Sequence, residues 1–182
     1  MLGHLNVELK ARCKDPARVR ALLDGAGAEF KGVDEQRDIY FKVPHGRLKL
    51  RRGTIERSLI HYERPDAADL KLSQVTLSHL EDVDEGTLDE IEGALTRALG
   101  IRSVVGKRRE IRFVENVKFH LDEVPGLGAF VEIEAIEAPN APDERALHAQ
   151  CEAWRVRLGI EPEDLVAVSY ADLVSSSPRR HP

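Results

Sequence analysis

Charge alternates with apolar side chains along nearly every strand-like run of this chain, and that pattern constrains its fold more than any other feature. In His4–Cys13, Leu5, Val7, Leu9 and Ala11 point one way while Asn6, Glu8, Lys10 and Arg12 point the other. A period of two is that of a β-strand with one apolar and one polar face. Gln36–Val43 repeats it, setting Gln36, Asp38, Tyr40 and Lys42 against Arg37, Ile39, Phe41 and Val43. After a Pro44–Gly46 turn, Arg47, Lys49 and Arg51 share a face, and Leu48 and Leu50 face away. Thr54–Arg64 reads as another strand and Lys71–Leu80 as a less regular fifth. Val104–Val114, Val117–Glu123 and Phe130–Ile136 complete about eight, the last two joined by a turn at Pro125–Gly128.

Helices interrupt the series. Asp15 followed by Pro16 is an N-cap with proline in the first turn, and Gly25 and Gly27 close that helix. Thr87 and Glu90 have capping-box spacing at the head of a second helix, Thr87–Leu99, which Gly100 stops. A third is expected over Pro142–Leu158, and a short last one within Pro162–Val174. Many strands joined by short turns, with a few helices among them, predict an α+β fold dominated by antiparallel sheet. One domain is expected over residues 1–174, followed by a disordered Ser/Pro/Arg-rich tail at 175–182.

Composition removes several function classes. A net charge of −5 does not suit a general nucleic-acid or membrane-surface binder. No apolar run approaches the ~20 residues of a membrane span. The two distant cysteines, Cys13 and Cys151, suit a reduced, cytoplasmic protein, with Cys151 packed at helical spacing between Leu147 and Trp154.

The polar strand faces hold charge of both signs: Glu8 and Lys10; Asp38; Lys49 and Arg51; Glu63; Lys107 and Arg109; Lys118, His120 and Asp122; Glu132 and Glu134. Two readings stand. The polar face of an open antiparallel sheet is normally wet and charged. Alternatively, eight strands suffice to close a barrel around a solvated interior, with the helices packed on its apolar outside. A lumen of that kind suits a polyphosphate, held by Arg forks and Lys charges. Carboxylates in the same space need Mg²⁺ or Mn²⁺ as a bridge to phosphate, and Glu132-x-Glu134 puts two of them on one strand face.

The blocks "NVELKARC", "QRDIYF", "GRLKLRRG", "IHYERPD", "VVGKRREIRF", "HLDEVPGLGAFVEIE" and "SYADL" resemble, in order and spacing, the CYTH family of class IV adenylyl cyclases and thiamine and inorganic triphosphatases. The resemblance runs from about Asn6 to Leu173. It implies an eight-stranded antiparallel tunnel, a closed barrel with helices outside, that grips a triphosphate with Mg²⁺ or Mn²⁺. By position, Glu8, Asp122, Glu132 and Glu134 match metal-binding carboxylates. Lys49, Arg51, Lys107 and Arg109 match phosphate grips, and Lys10, with Glu8, matches a catalytic position. Asn6, Asp38, Tyr40, Glu63, Lys118 and His120 are further lining candidates. The implied function is a metal-dependent enzyme acting on ATP, thiamine triphosphate or inorganic tripolyphosphate, with a slight lean to the cyclase branch. A non-catalytic triphosphate-binding module is the alternative, and a homodimer is one option for assembly.

Three positions depart from the family pattern. Asn6 stands where the first Glu of Glu-x-Glu-x-Lys belongs, Glu63 where a Lys is common, and the fifth strand, "KLSQVTL", lacks the usual charges. If Glu63 faced the lumen, it could replace the carboxylate missing at Asn6.

Overall fold

The computed structural model describes residues 4–63, 70–137 and 143–176. Eight strands form the sheet: β1 (His4–Arg12), β2 (Glu29–Phe41), β3 (Arg47–Arg52), β4 (Arg57–Glu63), β5 (Lys71–His79), β6 (Ile101–Val114), β7 (Val117–Val124) and β8 (Gly128–Ile136). The order β1-β5-β4-β3-β2-β6-β7-β8 closes on itself, and every neighbouring pair is antiparallel. Closure leaves no edge strand exposed. The longest pair, β2 and β6, changes register at Phe30/Gly32 and Tyr40/Phe41, irregularities of the kind that bend a strand around a barrel.

The first three helices each take the apolar outer face of a few strands. The first, α1 (Pro16–Gly25), is capped by Asp15, which accepts from the Arg18 amide at 2.9 Å, and it buries Val19 and Leu23. The second, α2 (Glu85–Leu99), starts two residues before the expected Thr87. Asp84 is the cap instead: its carboxylate accepts both the amide and the hydroxyl of Thr87. Ile91, Leu95 and Leu99 pack on Ile39, Phe41 and Leu50. The third, α3 (Glu144–Leu158), lays Leu147, Cys151 and Leu158 against Val7, Leu9, Phe119 and Ile133. Cys151 is fully buried, and burial pushes its thiol up to about 12. Pro142, its expected first residue, lies outside the described residues.

Two boundaries differ from expectation. The single last helix is instead a 3₁₀ turn (Pro162–Asp164) followed by α4 (Tyr170–Ser176). Helix therefore occupies Ser175 and Ser176, the first residues of the expected tail, and 177–182 lie outside the described residues. Strand β4 begins at Arg57 because Asp34 draws the preceding segment into a loop. Its buried carboxylate accepts from the amides of Ile55 (2.8 Å) and Glu56 (3.0 Å) and from the Thr54 hydroxyl (3.0 Å). Gly53 makes this approach possible, since a Cβ there would lie 2.6 Å from both Asp34 oxygens.

Candidate functional site

The barrel encloses a cavity of about 280 Å³. Its wall divides into three sectors, because neighbouring strands present similar chemistry. The cationic sector is built by β3, β2 and β6 around Asp38, which is completely buried. Its Oδ2 receives Lys49 Nζ at 3.0 Å and Lys107 Nζ at 2.7 Å, and its Oδ1 receives Arg51 Nε at 3.0 Å. Burial by itself would raise this carboxyl, but Arg51, Lys107 and Lys49 together hold it well below the usual range. The lysines are displaced the other way. Burial, reinforced by neighbouring cations and only partly offset by Asp38, brings Lys49 down to about 8 and Lys107 to about 7.

The carboxylate sector is carried by β7, β8 and β1. Register sets Glu8 opposite Glu134, and Glu132 opposite both Lys10 and His120. Lys10 Nζ lies 3.1 Å from Glu132. His120 Nδ1 lies 3.3 Å from Glu132 and 3.4 Å from Glu134. Burial would raise Glu134, but His120 and Lys118 outweigh it and bring the carboxyl down to about 2. Arg109 joins the two sectors. It donates Nε and Nη2 to Asp122 at 2.7 and 2.5 Å, and Nη2 also to Glu132 at 2.6 Å.

Among the described residues, the group whose ligand atoms come close enough to share one ion is His120, Glu132 and Glu134, all within 4.8 Å of one another. Octahedral ligands held about 2.1 Å from a metal stand about 3.0 Å apart when adjacent and about 4.2 Å when opposite, a range that brackets the His–Glu separations of 3.3 and 3.4 Å. His120 Nε2 is buried without a hydrogen-bond partner. His120 Nδ1 and the two carboxylates therefore form a donor set that fits a divalent cation, with His120 added to the expected set. Asp122 is displaced from that set: it faces Arg109 and accepts from the Tyr170 hydroxyl at 2.7 Å. Glu8 lines the same cavity.

The expected phosphate grips Lys49, Arg51, Lys107 and Arg109 share the cavity with Asn6, Glu8, Lys10, Tyr40 and Lys118. Glu63 does not. Alternation along β4 turns Ser58, Ile60 and Tyr62 inward, so Glu63 stands exposed on the outside. The carboxylate missing at Asn6 is therefore not supplied from there, and the idea of compensation falls.

A different acid enters instead. Glu56, carried by the loop that Asp34 anchors, accepts from Arg51 Nη1 at 2.8 Å and pairs with Lys118 Nζ at 2.5 Å. Since β3 and β7 are not neighbours in the ring, this carboxylate links two separated walls. Burial would raise Glu56, yet Arg51 and Lys118 hold it far below the ordinary range. Tyr170 is the second residue that sequence reasoning missed as a site member. The cation of Lys10 sits 3.9 Å from its ring centroid, and α4 thereby seals part of the cavity. Glu56 fell within an apparent strand and gave no signal. Tyr170 lay in the recognised "SYADL" block, which was the available clue.

A closed antiparallel β-tunnel whose lumen joins a cationic wall to a carboxylate–histidine wall defines a class of charged-tunnel proteins. The chain belongs to the CYTH domain family, which matches residues 4–170. Among solved structures it is similar to the PH1012 protein of Pyrococcus horikoshii, at 27% identity and TM-score 0.73, over 92% of this chain and 98% of that one. A candidate adenylate cyclase of Vibrio parahaemolyticus shares the fold at 22% identity and TM-score 0.68, over 96% and 99% of the two chains. So does a candidate adenylyl cyclase of Hippeastrum described as having a dominant triphosphatase activity, at 15% identity and TM-score 0.59, over 96% and 98%. No curated protein matches the chain by sequence. No helix among the described residues is long and apolar enough to cross a membrane.

Proposed function

We propose that this protein is a metal-dependent enzyme acting on a triphosphate-bearing substrate inside the tunnel. The observation that carries the reading is the opposition of two charge sectors in one cavity. Lys10, Lys49, Arg51, Lys107, Arg109 and Lys118 meet Glu8, Asp38, Glu56, Asp122, Glu132 and Glu134 there. Cations and carboxylates are equal in number, so a bare triphosphate would enter with uncompensated negative charge. A divalent cation entering with it removes that imbalance.

The division of labour follows from position. Arg51 and Arg109 grip phosphate oxygens by charge-assisted forks, and Lys49 and Lys107 add point charges. Glu132, Glu134 and His120 would hold Mg²⁺ or Mn²⁺, and Glu8 faces them. The bound metal supplies polarisation of a phosphoryl oxygen. Lys10, set between Glu132 and the Tyr170 ring, orients the phosphate chain next to the metal group. Two free cysteines accord with a reducing, cytoplasmic setting.

The names of the Vibrio and Hippeastrum proteins frame the two reactions to be separated. Product analysis after incubation with ATP and Mn²⁺ does so: cyclic AMP with pyrophosphate marks a cyclase, ADP with orthophosphate a triphosphatase. A second reading, a binder without turnover, is favoured by Asn6, which removes one carboxylate from the strand that carries Glu8. Affinity for a triphosphate without any product from ATP, thiamine triphosphate or tripolyphosphate would establish the binder. No affinity for any triphosphate in the presence of metal would overturn both readings.

A further inference from the structure

We infer that Glu56 is an internal stand-in for a phosphate group: its carboxylate fills an anion subsite between Arg51 and Lys118, and an incoming anion gains that subsite by displacing it. This deepens the triphosphate reading above and rests on it. The third sector of the wall, Ile60, Tyr62, Val75 and Leu77 on β4 and β5, is apolar. Glu56, on the loop that leads into β4, reaches past it to cations carried by β3 and β7. Three nitrogen donors converge on this one carboxylate. Arg51 Nη1 and Gln36 Nε2 donate to Oε2 at 2.8 and 3.1 Å, and Lys118 Nζ donates to Oε1 at 2.5 Å. Donors set in this way around two oxygens suit carboxylate and phosphate alike.

Two features separate Glu56 from a fixed counter-ion such as Asp38. Asp38 is carried by strand β2, is completely enclosed, and holds Lys49, Lys107 and Arg51 at once. Glu56 precedes β4 on a loop, and its side chain is 20% exposed. The backbone beneath it is fixed, because Asp34 accepts the amides of both Ile55 and Glu56. The carboxylate can therefore leave by side-chain rotation alone. Its partners keep their places without it. Arg51 still donates Nε and Nη2 to Asp38 at 3.0 and 3.3 Å. Lys118 stands opposite Glu134 and 5.6 Å from the centroid of the Phe113 ring. Displacement frees Arg51 Nη1 and Lys118 Nζ for a new anion and tips the balance of charge in the lumen toward positive. While the tunnel is empty, Glu56 spares these two cations the cost of standing unpaired. Its presence lowers the affinity for any anion that uses the subsite, since the two compete for the same donors.

Calorimetric titration of tripolyphosphate into the full chain at fixed Mn²⁺ tests the assignment, with Glu56→Gln, Glu56→Ala and Glu81→Gln beside the unaltered protein. Glu81 also lines the cavity but contacts His79, so its variant controls for the general loss of one negative charge. Glu56→Gln should bind at least ~10-fold tighter than the unaltered protein, about 1.4 kcal/mol, and Glu81→Gln should gain less. A permanent strut between the two walls predicts the opposite sign, because its loss would slacken the grips and weaken binding. A folding fault also lowers affinity and cannot imitate a gain. Glu56→Gln keeps the size of the side chain and decides the outcome, and Glu56→Ala takes its place if that chain fails to fold. A smaller gain, no gain or a loss in the deciding variant overturns the stand-in and leaves the triphosphate reading intact, as does an equal gain in Glu81→Gln. Absence of binding by the unaltered protein and by every variant overturns both.

Discussion

The cationic and carboxylate sectors of the tunnel hold similar groups but are built differently. In the cationic sector, one buried carboxylate, Asp38, is surrounded by Lys49, Arg51 and Lys107, so positive charge exceeds negative and the excess faces the lumen. In the carboxylate sector the proportions reverse: Glu132 and Glu134 flank His120, Glu8 stands opposite Glu134, and Lys10 and Arg109 lie at the border. The first sector has its own counter-ion in place, and the second gathers the ligand atoms of His120, Glu132 and Glu134 within 4.8 Å of one another. The difference teaches that, on the proposed function, one wall is preorganised for an anion and the other offers its donors to a cation. Electrostatic preorganisation of that kind costs no rearrangement when the ligand arrives.

Removing the counter-ion should break the comparison most severely. Asp38→Asn removes the shared counter-ion of Lys49 and Lys107 and leaves Arg51 with Glu56 alone, and loss of one partner from a buried ionic pair costs roughly 3–5 kcal/mol. Urea denaturation should register that loss at neutral pH. A change below about 1 kcal/mol would mean that the sector does not depend on Asp38.

The next effect separates the two walls functionally. Arg51→Ala should cost ~1.5–3 kcal/mol of triphosphate affinity with or without metal, the range for a charge-assisted contact. Glu134→Gln should remove chiefly the metal-dependent part. Calorimetry in Mn²⁺ and in chelator distinguishes these outcomes, and equal losses from both variants in chelator would erase the distinction between the walls.

A smaller effect comes from pH. Burial depresses Lys107 to about 7 and Lys49 to about 8, so each loses charge as pH rises through those values. A bound triphosphate favours the charged lysines, so binding takes up protons. Affinity should therefore be highest at or below about pH 7 and fall as pH rises through 7 to 9. Titration in buffers of different ionisation enthalpy should detect the proton uptake, and Lys107→Arg should flatten the profile. An affinity that rises over that interval would contradict the charged-grip role.

The smallest effect belongs to Glu63. As an exposed outer residue, Glu63→Lys should change stability by no more than about 0.5 kcal/mol, and metal-dependent binding should stay unaltered. Loss of metal-dependent binding in this variant would mean that its carboxylate reaches the cavity after all.

The sequence by itself determined which side of each strand is apolar, because side-chain alternation is a local property of the extended backbone. Glu8 with Lys10, Lys49 with Arg51, Lys107 with Arg109 and Glu132 with Glu134 were legible as same-face pairs for that reason. Local signals also placed α1, through Asp15 and Pro16, and the buried thiol of Cys151. Tertiary structure decided what those faces meet. Closure through the β1–β5 and β1–β8 pairings turned polar faces into a lumen rather than a wet surface, and this pairing joins strands far apart in the chain. It also decided that Asp122 turns to Arg109 and Tyr170, and that His120 stands beside Glu132 and Glu134 instead. Glu56 reaches the lumen because Asp34, 22 residues earlier in the chain, captures its amide. Glu63, only seven positions beyond Glu56, stays outside because the ladder of β4 with β3 and β5 fixes its register. Periodicity orders residues along one strand, whereas the chemistry of a tunnel arises between strands, where only three-dimensional pairing brings opposite charges within reach.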